Sequence, residues 1–198
     1  MANHLTKLYI QLVACDTTGE AWAGGDWQRP GLSPSGVALC GGCQAAARCR
    51  LGIETEHPVD GGVVYTLTCP WEAEGGPRVA HGGWTAGVLD EVVGHVPLLH
   101  GQLAVTASLT VGFVKPVPVG RPLRATARLA RREGRRWYVE AELTLGSTGT
   151  RLATAQAVLV ARDQDHFARH EAWLAEQDQS TGASAGRRRA DRRGETEG

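Results

Sequence analysis

Leu103-Ala-Val-Thr-Ala-Ser-Leu-Thr-Val-Gly-Phe113 sets apolar residues at its odd positions and Thr106, Ser108 and Thr110 between them. A period of two belongs to a strand with one buried and one wetted face. The parity continues in Leu123, Ala125, Ala127 and Leu129 against Arg124, Thr126 and Arg128. It returns in Trp137, Val139, Ala141, Leu143 and Leu145 against Tyr138, Glu140, Glu142 and Thr144. A charged turn over 131–135 and Gly146-Ser-Thr-Gly149 separate these runs from a last apolar stretch, Leu152 to Val160. Upstream, Val63, Tyr65, Leu67 and Cys69 alternate with Val64, Thr66 and Thr68 as far as Pro70, which gives one strand ahead of the others. Four strands in hairpin succession, with no crossover helices between them, predict an antiparallel sheet. Its apolar face needs a cover, and the long apolar element left to supply it follows His81.

That element is Val79-Ala-His-Gly-Gly-Trp-Thr-Ala-Gly-Val-Leu-Asp-Glu91, in which a His-Gly-Gly turn opens a helix and an acidic pair lies about two turns inside it. Gly82 and Gly83 lack a Cβ, and the first N–H groups of a helix have no intrahelical partner, so both suit a developing oxyanion. Asp90 falls among Val88, Leu89, Val92 and Val93, where an unpaired charge is costly to bury. Its plain alternative is an exposed acid on a helix. Seven residues separate Gly83 from Asp90, which brings both to one side of the helix but roughly 10 Å apart along the axis. A carbonyl group held at the Gly-Gly turn is therefore out of reach of Asp90 in the same chain. Two subunits with antiparallel helices across a two-fold axis would bring the parts together twice. Glu91, rotated about 100° from Asp90, reads as structural or solvent-facing.

The His-Gly-Gly turn, the aspartate nine residues after the histidine, the following Glu91 and Gly94, and the downstream strand from Thr106 to Gly120 resemble hotdog-fold acyl-CoA thioesterases of the phenylacetate-degradation type. The resemblance covers roughly Cys40 to Val160. It implies an α+β hotdog fold, an antiparallel sheet wrapped around a central helix, in a homodimer or a dimer of dimers. It also implies hydrolysis of an acyl-CoA to a free acid and coenzyme A without a cofactor. On this resemblance Asp90 is nucleophile or general base, His81 positions the substrate or the leaving thiolate, and Thr106 orients water or the carboxylate. Ser108 shares the face of Thr106 and is its reserve. Trp84 hints at an aromatic neighbour for the acyl group, and Lys115 and Arg121, with Arg131 and Arg132, are basic candidates for coenzyme A phosphates. Some relatives carry an asparagine ahead of the turn where this chain has Glu74-Gly-Gly-Pro-Arg78. That departure keeps two alternatives open: a catalytically silent acyl-CoA-binding protein, and a hotdog enoyl-CoA hydratase or dehydratase.

Composition frames these readings. The chain has 198 residues, with Lys+Arg 21 and Asp+Glu 21, so no net charge argues for nucleic acid or an anionic membrane as partner. Met1 to Ala14 lacks the continuous apolar centre of a signal peptide, and no window approaches a membrane span. Five cysteines favour reduced thiols and a cytoplasmic location. Cys40-Gly-Gly-Cys43 with Cys49 offers half a zinc site, but only His57 is on hand to complete it, so no metal is expected. The expected organisation is a helix and extended lead-in over 1–39, the hotdog domain over 40–162, a helix over 163–178 and a disordered Arg-rich tail over 179–198.

Overall fold

The computed structural model describes residues 32–163 and 165–179. The expected lead-in helix, most of the extended segment after it and nearly all of the Arg-rich tail lie outside the described residues. After a short helix α1 (Gly41–Gln44), strands β1 (Ile53–Val59) and β2 (Gly62–Thr68) lead to a single 3-10 turn, Trp71–Ala73. A minimal hairpin, β3 (Glu74–Gly76) and β4 (Val79–Ala80), then delivers the chain to helix α2 (Gly82–Leu99). Strands β5 (Ala104–Phe113), β6 (Pro122–Glu133), β7 (Arg136–Leu145) and β8 (Arg151–Ala161) complete the body. Residues 166–179 form a further helix, α3, in a separate compact unit that begins at Asp163.

The main sheet is six-stranded in the order β1-β2-β6-β7-β8-β5, and every pairing is antiparallel. Helix α2 covers one face, touching β2 and β5 to β8. Its buried residues Trp84, Val88, Val92 and Val96 recur every four positions, with Thr85, Leu89 and Val93 beside them. Beneath it the sheet presents Ala125, Ala127, Ala153, Ala155 and Ala157, all buried, and these small side chains let the helix axis close on the strands. Bulkier Tyr65, Leu67, Trp137, Leu143 and Leu159 fill the surrounding space. This is the expected α+β hotdog arrangement. Among the described residues no helix is long and apolar enough to cross a membrane.

Two features depart from the sequence expectation. Strand β5 is not in hairpin succession with β6: it lies at the sheet edge against β8. The linker 114–121 holds Pro116 and Pro118 and cannot make a tight turn, so it runs along β4, where Val117 O accepts from Ala80 N–H and Val119 N–H donates to Arg78 O. Strand β1 is the second departure, since two long strands, not one, precede α2. Its charged residues and Pro58 mask it, and its inward residue Glu56 breaks the apolar alternation.

Candidate functional site

The turn at His81 is built before it can be used. His81 N–H donates to Ala73 O at 2.7 Å and Ala80 N–H to Val117 O at 2.8 Å, so the 3-10 turn and the proline linker fix both sides. Gly75 allows this closeness, because a Cβ there would lie 2.6 Å from His81 Cα. Within the hairpin Arg78 has φ of 61°, and its N–H donates to the Glu74 carboxylate. Glu74, near where some relatives have asparagine, is thus occupied in holding the turn.

His81 is the N-cap of α2, with φ −60° and ψ 138°. Its Nδ1 accepts the Gly83 N–H at 2.9 Å, which in a neutral ring puts the proton on Nε2. This corrects the expectation that Gly82 and Gly83 are both open donors. The Gly83 N–H is occupied, and of the pair only the Gly82 N–H is without an acceptor among the described residues. Both glycines are solvent-exposed. Beside them stands Phe113, 61% exposed, whose ring is 3.7 Å from where a Gly82 Cβ would sit. It escaped the sequence reading because strand parity assigned it to the core.

Asp90 is exposed on the outer side of α2 while Val88 and Leu89 beside it are fully buried. Eight residues from Gly82 amount to about 12 Å of axial rise, so the two groups do not meet within one chain. Thr106 is exposed on β5 and is followed by a bulge at Ala107, which interrupts the parity read for that strand. Ser108, past the bulge, lines a groove of about 330 Å³ on the sheet face turned away from α2, so the structure does not bring it to the helix N-terminus. A larger groove of about 670 Å³ on the same outer face is lined by Thr110, Arg128, Glu140, Glu142 and Arg151 among others and contains none of the expected catalytic residues. Lys115 and Arg121 are exposed in the linker that runs beside β4. Trp84, expected to face the substrate, is instead packed into the core at 8% exposure.

Cys40, Cys43, Cys49 and Cys69 are free thiols. Burial pushes the Cys69 thiol up to about 11 and also raises Cys40 and Cys49. No three His, Cys, Asp or Glu side chains converge as a metal cage among the described residues.

A cluster absent from the sequence reading lies under α2. His95 Nδ1 is 3.1 Å from Glu56 Oε1, and its Nε2 is 3.5 Å from Glu91 Oε1. Burial alone would push the imidazole down, but hydrogen bonds to Glu56 and then Glu91 raise it to about 9. The same hydrogen bond to His95 lowers Glu91 against the opposing effect of burial. A lone acid on β1 and a lone histidine on a helix carry no sequence pattern that joins them.

With this geometry in hand, comparison identifies the chain's relatives. The sequence profile of the Thioesterase superfamily matches residues 78–152. A phenylacetic acid degradation-related protein of Ralstonia eutropha JMP134 superposes with a TM-score of 0.53 at 25% identity, over 62% of this chain and 92% of its own. The PaaI protein of the Escherichia coli phenylacetic acid degradation operon gives 0.54 at 23% identity, over 61% and 84%. A Streptococcus mutans UA159 protein solved with acetyl-CoA bound gives 0.54 at 20% identity, over 59% and 93%.

Proposed function

From a chain that belongs to the thioesterase superfamily through residues 78–152 and carries the hotdog fold, we propose an acyl-CoA thioesterase whose site is completed by a second copy of the same chain. The observation that carries this reading is the open, exposed donor at Gly82 together with the outward carboxylate of Asp90 on the same helix. The thioester oxygen is held by Gly82 N–H, where the helix dipole favours developing negative charge. Asp90 of the partner attacks the carbonyl or removes a proton from water, and Thr106 orients that water. His81 keeps the turn in shape through Gly83 and presents Nε2 toward the leaving thiolate. Lys115 and Arg121, both exposed in the linker, supply the positive charge for coenzyme A phosphates on this reading.

The sheet edges support the partner copy. Edge strand β1 is blunted by Glu54, His57 and Pro58, whereas the opposite edge, β5, has neither charge nor proline from Ala104 to Phe113. An uncharged free edge of ten residues is suited to antiparallel pairing with its own copy. Free cysteines fit a reducing compartment such as the cytoplasm.

Thiol release over short, long and aromatic acyl-CoAs tests the activity, and two variants test the shared site. Asp90→Asn keeps shape and loses basicity, with an expected loss of about a hundredfold or more in kcat. Glu91→Gln should be far milder. Gly82→Pro removes the open donor at a position where proline is welcome, since the extended His81 backbone already suits a residue before proline. Each variant alone should be inactive. After co-refolding, half the dimers are mixed and each holds one intact site, so roughly a quarter of wild-type sites should return. Activity that stays at the level of the separate variants despite demonstrated subunit exchange would place the whole site within one chain.

A further inference from the structure

Helix α2 carries two adjacent acids, Asp90 and Glu91, and the structure treats them in opposite ways. Asp90 is exposed. Glu91 turns inward, its side chain 25% exposed, to the Nε2 of His95 one helical turn on. His95 in turn reaches Glu56 on β1, whose side chain is 1% exposed and whose second oxygen accepts the Ala38 N–H at 3.2 Å. A neutral imidazole has one N–H, yet here each ring nitrogen faces a carboxylate oxygen, so both contacts are hydrogen bonds only when the ring is protonated. A protonated ring between two carboxylates also relieves the cost of burying Glu56.

The other groups around the cluster do not replace this pairing. Tyr65 of β2 sets its ring 5.9 Å from the imidazole and donates its phenol to Val92 O at 3.5 Å. Arg50, in the loop before β1, acts on Glu91 by charge alone. The thiols of Cys40 and Cys49 are raised by burial and so stay neutral beside Glu91.

We infer that Glu56 and His95 are positioning residues for Asp90: they anchor Glu91 inward and lock this turn of α2 to β1, leaving Asp90 as the one carboxylate the turn presents outward. The inference rests on the reading of Asp90 as the acid that acts on the thioester. Asp90 neighbours Glu91 directly, so any roll or slide of the turn moves it by the same amount. Deprotonation of His95 would leave Glu56 and Glu91 facing each other across a neutral ring, and the anchor would fail. The three side chains thus act on rate through geometry without touching substrate.

The test is the pH profile of kcat and KM for the full chain, with the His95 imidazole followed by NMR. Wild type should lose kcat with an alkaline limb near pH 9, matching the His95 midpoint. Glu56→Gln keeps the shape and removes one charge, so the limb and the imidazole midpoint should move together toward neutrality by about one unit or more. At pH 8 its kcat should fall about twofold for a one-unit move and about tenfold for a two-unit move, while KM changes less than about twofold. Glu91→Gln, at the less buried end, should move both in the same direction and serves if Glu56→Gln does not fold. A folded variant whose imidazole midpoint moves while the limb stays in place overturns the inference, as does a midpoint that does not move. Asp90→Asn in the same series separates the two readings: if it retains turnover, the assignment of Asp90 fails regardless of the profiles.

Discussion

Raising the pH from 6.5 to 9 should weaken the fold, with His95 as the cause. In the folded chain its imidazole titrates at about 9, against 6.5 for the free side chain. A group whose folded value is raised contributes stability that is fully present below the unfolded value and is lost as pH rises through the folded one. Over this window the shift corresponds to on the order of 3 kcal/mol, since one unit is about 1.4 kcal/mol. Burial raises Cys40 and Cys49 and takes Cys69 to about 11, so the thiols add a loss of their own as pH passes the unfolded thiol value of about 8.5, and the difference between wild type and His95→Gln isolates the imidazole. Urea unfolding followed by tryptophan fluorescence at half-unit steps is the assay. For a domain of this size the midpoint should fall by roughly 1–2 M across the window. His95→Gln should be less stable at pH 6.5 and nearly flat up to about pH 8, below the range in which unfolded thiols ionise. A wild-type midpoint that does not decline between 6.5 and 9, or one that declines equally in His95→Gln, would refute the pairing of His95 with Glu56 and Glu91.

Two further outcomes follow from the site. Gly75→Ala puts a Cβ 2.6 Å from His81 Cα, so the hairpin must shift; melting should show a loss of about 1–3 kcal/mol and thiol release should fall with it. Chelator treatment should leave turnover and melting unchanged, and stoichiometric zinc in the purified chain with unfolding on its removal would contradict that.

How much of this was legible in the sequence depended on whether a residue's role was periodic. Strands β6 to β8 and helix α2 bury alternating or every-fourth residues against one another, so Leu123, Val139, Leu159 and Val88 announce themselves. Strand β1 does not, because its buried position is Glu56, whose partner lies on another element. The edge placement of β5 was hidden because strand order depends on where a linker crosses, and prolines 116 and 118 bar a hairpin without saying which edge is reached instead. The bulge at Ala107 puts Thr106 on the face of Leu159 and Ser108 on the opposite one, a change no parity count shows, whereas Phe113 keeps the face of Ala153 and is exposed because it ends an edge strand beside Gly82.

The Gly-Gly turn shows how one hydrogen bond reshapes a functional reading. Sequence offers two equivalent donors, and a backbone with both open would hold the carbonyl oxygen in either of two places. By capping the helix with His81 Nδ1, the chain removes Gly83 from that choice and ties the orientation of the imidazole to the helix terminus. With Gly83 closed, an oxygen held at Gly82 lies about 12 Å from Asp90 along the rise of α2. No side-chain rotation closes that gap, since the three bonds from Cα to a carboxylate oxygen sum to only about 4 Å. On the proposed reading, the uncharged edge at β5 and the outward carboxylate at Asp90 answer one requirement: the acid comes from a second copy, which docks where the sheet is left open.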